Sequence, residues 1–149
     1  LGTRVPDHGK MAPWRFVIMQ GEAKAALVER LRTLAAAQRG AGKAEAALLK
    51  LSEPPVTVMV VSAPREGGKP VWEQELSAGA VCMTLLIAGE AMGFGANWIT
   101  DWYSYDPAAA GILGLKPGER VAGFVHFGTP SEPPLERQRP ELSAVVSTL

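Results

Sequence analysis

The sequence predicts a mixed α/β layer structure, and three observations carry that expectation. Short runs of bulky and β-branched residues recur at 14–20, 56–62 and 120–128, the length and composition of buried strands. Between them apolar residues fall at helical spacing, as in Ala23, Leu27, Leu31 and Leu34. A long segment from Trp72 to Met92 carries no charge between Leu76 and Gly89. Strand and helix signals that alternate in this way point to layered packing around a sheet.

The elements follow in order. Trp14–Gln20 (WRFVIMQ) reads as a buried strand. A helix runs from Gly21 to about Ala37, and Arg39-Gly-Ala-Gly-Lys43 breaks it. A second, short helix spans roughly Lys43 to Leu51. Pro54-Pro55 stops it, because a residue before proline is pushed out of the helical region. Val56–Ser62 (VTVMVVS) is β-branched and uncharged, as in a central strand covered on both faces.

After a loop at 65–70 comes the long helix. Its interior small residues Ser77, Ala78, Gly79, Ala80, Ala88 and Gly89 let another backbone approach closely. That points to packing on several sides, a dimer interface among them. Gly93–Asn97 leads into a strand-like segment through Trp98-Ile99-Thr100. Asp106 as N-cap and Pro107 at the first helical position open a short helix to about Leu113. Arg120–Gly128 is a strand, and from Thr129 the chain is a proline-rich, charged, extended tail. The 149 residues suit one domain, 1–149, whose last part, 129–149, is that tail.

Composition removes several function classes. Fifteen basic residues balance fifteen acidic ones, so no basic face for nucleic acid is expected. Cys82 is the sole cysteine, which forbids an internal disulfide and fits a reducing, cytoplasmic setting. The uncharged run falls short of the about 20 residues a membrane span needs, so a buried helix is expected and no membrane partner. His8 and His126 lie far apart and Cys82 sits mid-helix; no metal-ligand spacing results. Gly93-Phe94-Gly95 follows a helix and opens a strand, the reverse of a Rossmann fingerprint. The chain opens on Leu1 with a loop-like GTRVP, which reads as a fragment or as the ordered part of something longer.

What remains is one dense polar segment, Arg4 to Arg15 (RVPDHGKMAPWR), directly before a buried strand. Pro6 and Pro13 stiffen it. Two readings stand side by side. A stiff loop presenting several donors suits an anion or a heterocycle; equally, it suits a surface connection with solvated charges.

Pro6-Asp-His-Gly-Lys-Met-Ala-Pro-Trp-Arg-Phe16 resembles the P-S/D-x-x-x-x-Q-P-W-x-F segment of the nitroreductase family, nearest to the minimal branch that carries R-A-P-D-H there. Three further segments resemble the family in order. Pro70–Ser77 (PVWEQELS) is similar to the start of its long central helix. Gly93–Thr100 (GFGANWIT) is similar to the segment beside the flavin, and Val121–Pro130 (VAGFVHFGTP) to the late strand ending in G-T/Y-P.

The resemblance implies a nitroreductase-like α+β fold: a central, mostly antiparallel sheet flanked by helices, with the long helix at a homodimer interface. It implies FMN bound where both subunits line each site. NADH or NADPH gives hydride to that flavin, and an electron-poor acceptor such as a nitroaromatic or quinone then takes electrons in pairs. The flavin carries the chemistry and the protein supplies position and electrostatics. By position, Arg4 and His8 touch FMN, with Lys10 in the same cluster. Arg4 is a fixed cation suited to the anionic side of reduced flavin. Trp98, Ile99 and Thr100 run along the flavin edge through their backbone N–H groups, and Ser77 lies where some relatives place a polar flavin contact.

The family's main phosphate grip, an R-R-S-type segment, has no counterpart in these residues. Arg137 and Arg139 fit a K/R-x-K/R pair of the C-terminal tail, either a phosphate holder or a solvated charge pair. Ala12 stands where the family usually has glutamine, so one polar contact is expected to be lost. No residue is expected as an essential acid or base; Asp7, Glu73 and Glu75 are the carboxylates to test. Two alternatives stay open: a flavin-binding relative without turnover, and a member with dehydrogenase or dehalogenase chemistry.

Overall fold

A computed structural model describes residues 1–38 and 41–149, with the side chains of 41–43 left aside. Strand β1 (Trp14–Gln20) leads straight into α1 (Gly21–Gln38), and α2 (Ala41–Ser52) follows. The break expected at Arg39 and Gly40 lies outside the described residues. Next come β2 (Val56–Ser62), the long α3 (Val71–Ala91), β3 (Gly95–Ile99), α4 (Pro107–Leu113), β4 (Arg120–Gly128) and a short α5 (Leu142–Val145). Single 3-10 turns sit at His8–Lys10 and Trp102–Ser104.

The strands form one sheet in the order β1-β2-β4-β3. Every pairing is antiparallel, so the fold is the α+β arrangement expected. β2 and β4 are central, which explains the β-branched run at 56–62. One irregularity interrupts them: Val60 pairs Gly123 but Val61 pairs Val121, leaving Ala122 unmatched. A bulge of this kind sharpens the local twist.

Two apolar layers sandwich the sheet. On one face α1, α2 and α4 bury Leu31, Leu48, Leu51 and Leu113 against Met59, Val61, Tyr103 and Phe124. Each such fully buried side chain contributes about 1.5–3 kcal/mol. On the other face α3 alone covers Val60 and Val125 with Val81 and Cys82. Burial pushes the Cys82 thiol up to about 12, so it stays protonated and inert.

Local chemistry sets the ends of elements. Asp106 accepts hydrogen bonds from the N–H groups of Ala108 (2.8 Å) and Ala109 (3.3 Å) at the start of α4, as the N-cap reading requires. Gly114 ends α4 in the left-handed region, φ 70°. β3 begins and ends earlier than its strongest strand formers suggest. Gly95 and Ala96 pair with Gly128 and Phe127, and Thr100 lies past the strand. There Asp101 accepts from Trp102 N–H at 2.7 Å and its own N–H donates to Ser104 Oγ at 3.2 Å. That reciprocal cap turns the chain away from the sheet. The tail from 131 is exposed throughout; it bends at 131–132 and carries one short helix, α5.

Candidate functional site

The segment 1–13 folds as a braced loop on the first half of α3. Gly9, Lys10 and Ala12 all take positive φ, at 76°, 56° and 44°. For the two non-glycine residues this costs of order 1–3 kcal/mol each. Asp7 offsets part of it: one carboxylate oxygen accepts from Met11 N–H at 2.9 Å and the other from Ala12 N–H at 2.8 Å. Asp7 is therefore a brace of the loop and has no proton-transfer geometry of its own here.

Ser77 fixes the loop to the helix. Its hydroxyl donates to the Pro6 carbonyl at 2.7 Å and accepts from the Trp14 indole N–H at 3.2 Å. The side chain is buried and both hydrogen-bonding roles are taken. Pro13 O accepts from Ala63 N–H at 2.8 Å, which ties the far end of the loop to the end of β2.

The charged candidates of this loop point outward. Arg4 and Lys10 are exposed, and neither forms an ion pair among the described residues. His8 Nδ1 lies 2.5 Å from Glu73 Oε2, in the first turn of α3. Both side chains are about half exposed, so the pair is worth at most about 1 kcal/mol. Its effect is to orient the imidazole. Glu75, two residues on, meets Arg120 Nη1 at 3.2 Å.

Trp98, Ile99 and Thr100 lie elsewhere, at β3. Trp98 packs its indole against Gly123 of the bulge, with Nε1 and Cδ1 nearest, and donates from Nε1 to Ala122 O at 3.2 Å. The far edge of the ring reaches Gly79 of α3. Ile99 turns into the opposite layer, against the core under α1, α2 and α4. Thr100 is exposed and its Oγ1 accepts from Tyr105 OH at 2.8 Å. β3 pairs only with β4, so alternate backbone N–H and C=O groups along its free edge have no strand partner.

The structure thus collects the candidates into two groups. Arg4, His8 and Lys10 lie on the loop that crosses α3 and runs into β1, with Ser77 beneath it on α3; Trp98 and Ile99 lie on β3 and Thr100 directly after it. β1 and β3 are opposite edges of the sheet. Arg137 and Arg139 join neither group. Arg139 pairs with Glu136 at 3.0 Å and donates to the Arg137 carbonyl, while the tail is exposed.

Helix α3 is apolar nearly all round. Beyond the face that covers the sheet, Trp72, Leu76, Met83 and Ile87 form a second stripe at helical spacing, each at least half exposed. An exposed apolar stripe of this length marks an interaction surface. No spacing rule finds the Ser77 double bond or the Trp98–Gly123 contact in advance, because each depends on which strands are neighbours.

Among the described residues no group of three or more His, Cys, Asp or Glu side chains could hold a metal ion. No described helix is long and apolar enough to cross a membrane.

Three comparisons place this arrangement. The Escherichia coli K12 protein YdjA, provisionally named an NAD(P)H nitroreductase, is 34% identical over 137 residues, which cover 87% of this chain and 72% of YdjA. A nitroreductase-like family protein from Bacillus cereus superposes with TM-score 0.81 at 21% identity, covering 99% of this chain and 79% of its own. A variant of NfnB from Sphigopyxis sp. strain HMH, described as an FMN- and NADPH-dependent nitroreductase, superposes with TM-score 0.73 at 15% identity over 98% of this chain and 83% of its own. The family description "Nitroreductase family" matches residues 1–129, from the braced loop through β4. With that match over most of its length, and the fold agreeing, this chain belongs to the nitroreductase family.

Proposed function

We propose that this protein is an FMN-dependent NAD(P)H oxidoreductase that works as a homodimer and reduces nitroaromatic or quinone acceptors by two electrons. One observation carries the reading: the loop of Arg4, His8 and Lys10 runs into β1, one edge strand of the sheet, while Trp98 and Ile99 belong to β3, the other. A single chain supplies two half-sites, and a two-fold related copy brings the loop of one chain to the β3 edge of the other.

The donor set fits the group. Arg4 and Lys10 are cations with no ion-pair partner among the described residues, suited to an anionic ring. The free edge of β3 offers backbone N–H groups at Trp98–Thr100 to a flat heterocycle, much as an oxyanion hole offers donors. FMN, when bound, supplies the two-electron chemistry between NAD(P)H and the acceptor.

The residues have separate tasks. Arg4 binds the pyrimidine side of the ring and favours its reduced, anionic form. His8, oriented by Glu73, donates to a ring or ribityl oxygen. Ser77 acts through the loop, holding Pro6 and Trp14 so that Arg4 and His8 face outward. Arg137 and Arg139 of the tail take the phosphate. The stripe Trp72–Leu76–Met83–Ile87 forms the centre of the dimer interface and excludes water from the shared sites.

NfnB, described as FMN- and NADPH-dependent, and YdjA's nitroreductase name support this reading. The test is direct. Purified protein mixed with FMN should retain yellow colour through gel filtration, elute as a dimer and bleach on adding NADH or NADPH, recovering colour with a nitroaromatic or a quinone. Protein that stays colourless with excess FMN would defeat it; retained FMN that neither nucleotide bleaches would leave a binding module.

A further inference from the structure

The path of the chain just past β3 is fixed by the backbone and its caps. Asp101 and Ser104 close the turn reciprocally. The Trp102 carbonyl accepts from the N–H groups of Tyr105 and Asp106, each at 3.1 Å, and Asp106 then opens α4. Tyr105 is thus held on both sides through its backbone, while 66% of the residue stays exposed. Its phenol makes one contact: the O–H donates to Thr100 Oγ1 at 2.8 Å. Both residues are exposed, so water competes for that bond and it adds little to folding. Its consequence lies in what it does to Thr100.

A threonine hydroxyl has one O–H to give and two lone pairs that receive. Thr100 Oγ1 receives from Tyr105, and its own O–H has no acceptor among the described residues. Hydrogen bonds in a chain polarise one another, so a hydroxyl that accepts becomes the better donor. The pair therefore ends in an unspent, strengthened donor at the surface. That donor stands directly after β3, whose outer edge has no strand partner.

We propose that the Thr100 hydroxyl donates to a carbonyl oxygen of the flat heterocycle at the β3 edge, with Tyr105 as the residue that positions and strengthens this donor. The inference rests on the flavin reading above and deepens it. Contact with the ring is made by a side chain as well as by backbone N–H groups, and a residue five positions on tunes it. Tyr105 acts through Thr100 and does not itself touch the ring. A donor on a carbonyl oxygen holds the electron-rich, reduced ring more firmly than the oxidised one. Tyr105 therefore raises both the affinity for FMN and the potential of the bound flavin.

The test uses the full chain, titrated with FMN and followed by flavin fluorescence, with the potential of the bound flavin measured against a redox dye. Tyr105→Phe removes only the phenolic O–H and Thr100→Val only the hydroxyl; both keep every backbone N–H. Each should weaken FMN by about two- to tenfold, as for one hydrogen bond, and lower the potential. The double variant should bind no more weakly than Thr100→Val alone, because Tyr105 then has nothing to act through. Thr100→Ser, which restores the hydroxyl, should recover both affinity and potential. A bond that merely staples the turn would change the urea midpoint of the FMN-free chain and leave the potential of the bound flavin where it was. Tyr105→Phe with the parent's affinity, an unchanged potential, or the same loss in the Thr100→Val background would each overturn the proposal while leaving the flavin reading intact. A parent chain that binds no FMN would overturn both.

Discussion

Substituting Gly123 by alanine places a methyl group where the Trp98 indole already lies. A Cβ at that position would stand 1.9 Å from Trp98 Nε1 and 2.4 Å from Cδ1. No relaxation of a few tenths of an ångström absorbs such an overlap, so the ring has to leave. Trp98 is 38% exposed, and a route to solvent exists. Leaving costs its hydrogen bond to Ala122 O, about 1 kcal/mol. It also re-exposes the covered part of a large apolar side chain, at about 1.5–3 kcal/mol. Against this, alanine restricts the unfolded chain and returns about 0.4–1 kcal/mol. Gly123→Ala should therefore destabilise by about 2–3 kcal/mol, within the range of overpacked cores. In a Trp98→Ala background the same change should cost close to nothing, because the obstructing atoms are gone. Urea unfolding followed by far-ultraviolet circular dichroism on the four proteins gives the coupling. If Gly123→Ala costs the same in both backgrounds to within about 0.5 kcal/mol, the range of simple additivity, the packing account of the bulge is wrong.

Two further outcomes follow from single contacts. Glu119 takes Arg15 in a two-pronged ion pair, 2.8 and 2.6 Å, and accepts from Lys116 N–H at 2.8 Å. The Arg15 guanidinium holds its carboxyl down at about 2, against an ordinary 4.5. A depressed carboxylate stabilises above its unfolded pKa and loses that contribution as pH falls through its folded one. The stability gap between the parent and Glu119→Gln should thus be constant above pH 4.5 and close as pH falls to about 2; a gap undiminished at the acid end would refute the assignment. Ser77→Ala strands the Trp14 indole N–H and the Pro6 carbonyl and should cost about 1–3 kcal/mol. Limited proteolysis should then cut within residues 1–13 well before the helices, and a loop that stays resistant would mean Ser77 is not its anchor.

The sequence made the elements legible where local chemistry alone decides them. Arg120–Gly128 and Val56–Ser62 emerge as strands with the ends expected, because β-branched runs bounded by turn residues have few other uses. Asp106-Pro107 set the start of α4 in the same way. Segments whose limits depend on neighbours shifted: β3 draws in Gly95 and Ala96, weak strand formers that pair only because Gly128 and Phe127 lie opposite. The site was legible as a list of residues and not as an arrangement. The resemblance offers Ser77 as a polar flavin contact, and its part in clamping the loop appears only once Pro6 and Trp14 converge on it. In the sequence His126 stands only as a strand residue too distant from His8 to share a metal. Its hydrogen bond to Thr57, which Lys24 also reaches, joins three elements that no local window contains.

The division of the candidates between two sheet edges also says how to prove a shared site. Three interstrand steps of about 4.8 Å put β1 some 14 Å from β3, with α3 lying over the strands between. In the proposed homodimer a two-fold axis beside the α3 stripe would make the interface isologous, so that each loop would meet the other chain's β3 edge and the two sites would be equivalent. Consider Arg4→Ala, which damages the loop half-site, and Thr100→Pro, which removes a backbone N–H just past β3. Homodimers of either variant carry the same lesion in both sites and should lose FMN-dependent NAD(P)H oxidation. A mixed dimer carries both lesions in one site and none in the other. Equal random mixing gives about half mixed dimers and so restores about a quarter of the parent's intact sites. Unfolding and remixing the two inactive proteins should therefore raise activity from near zero to about a quarter. If each site were built within one chain, every site in the mixture would still carry one lesion and no activity would return.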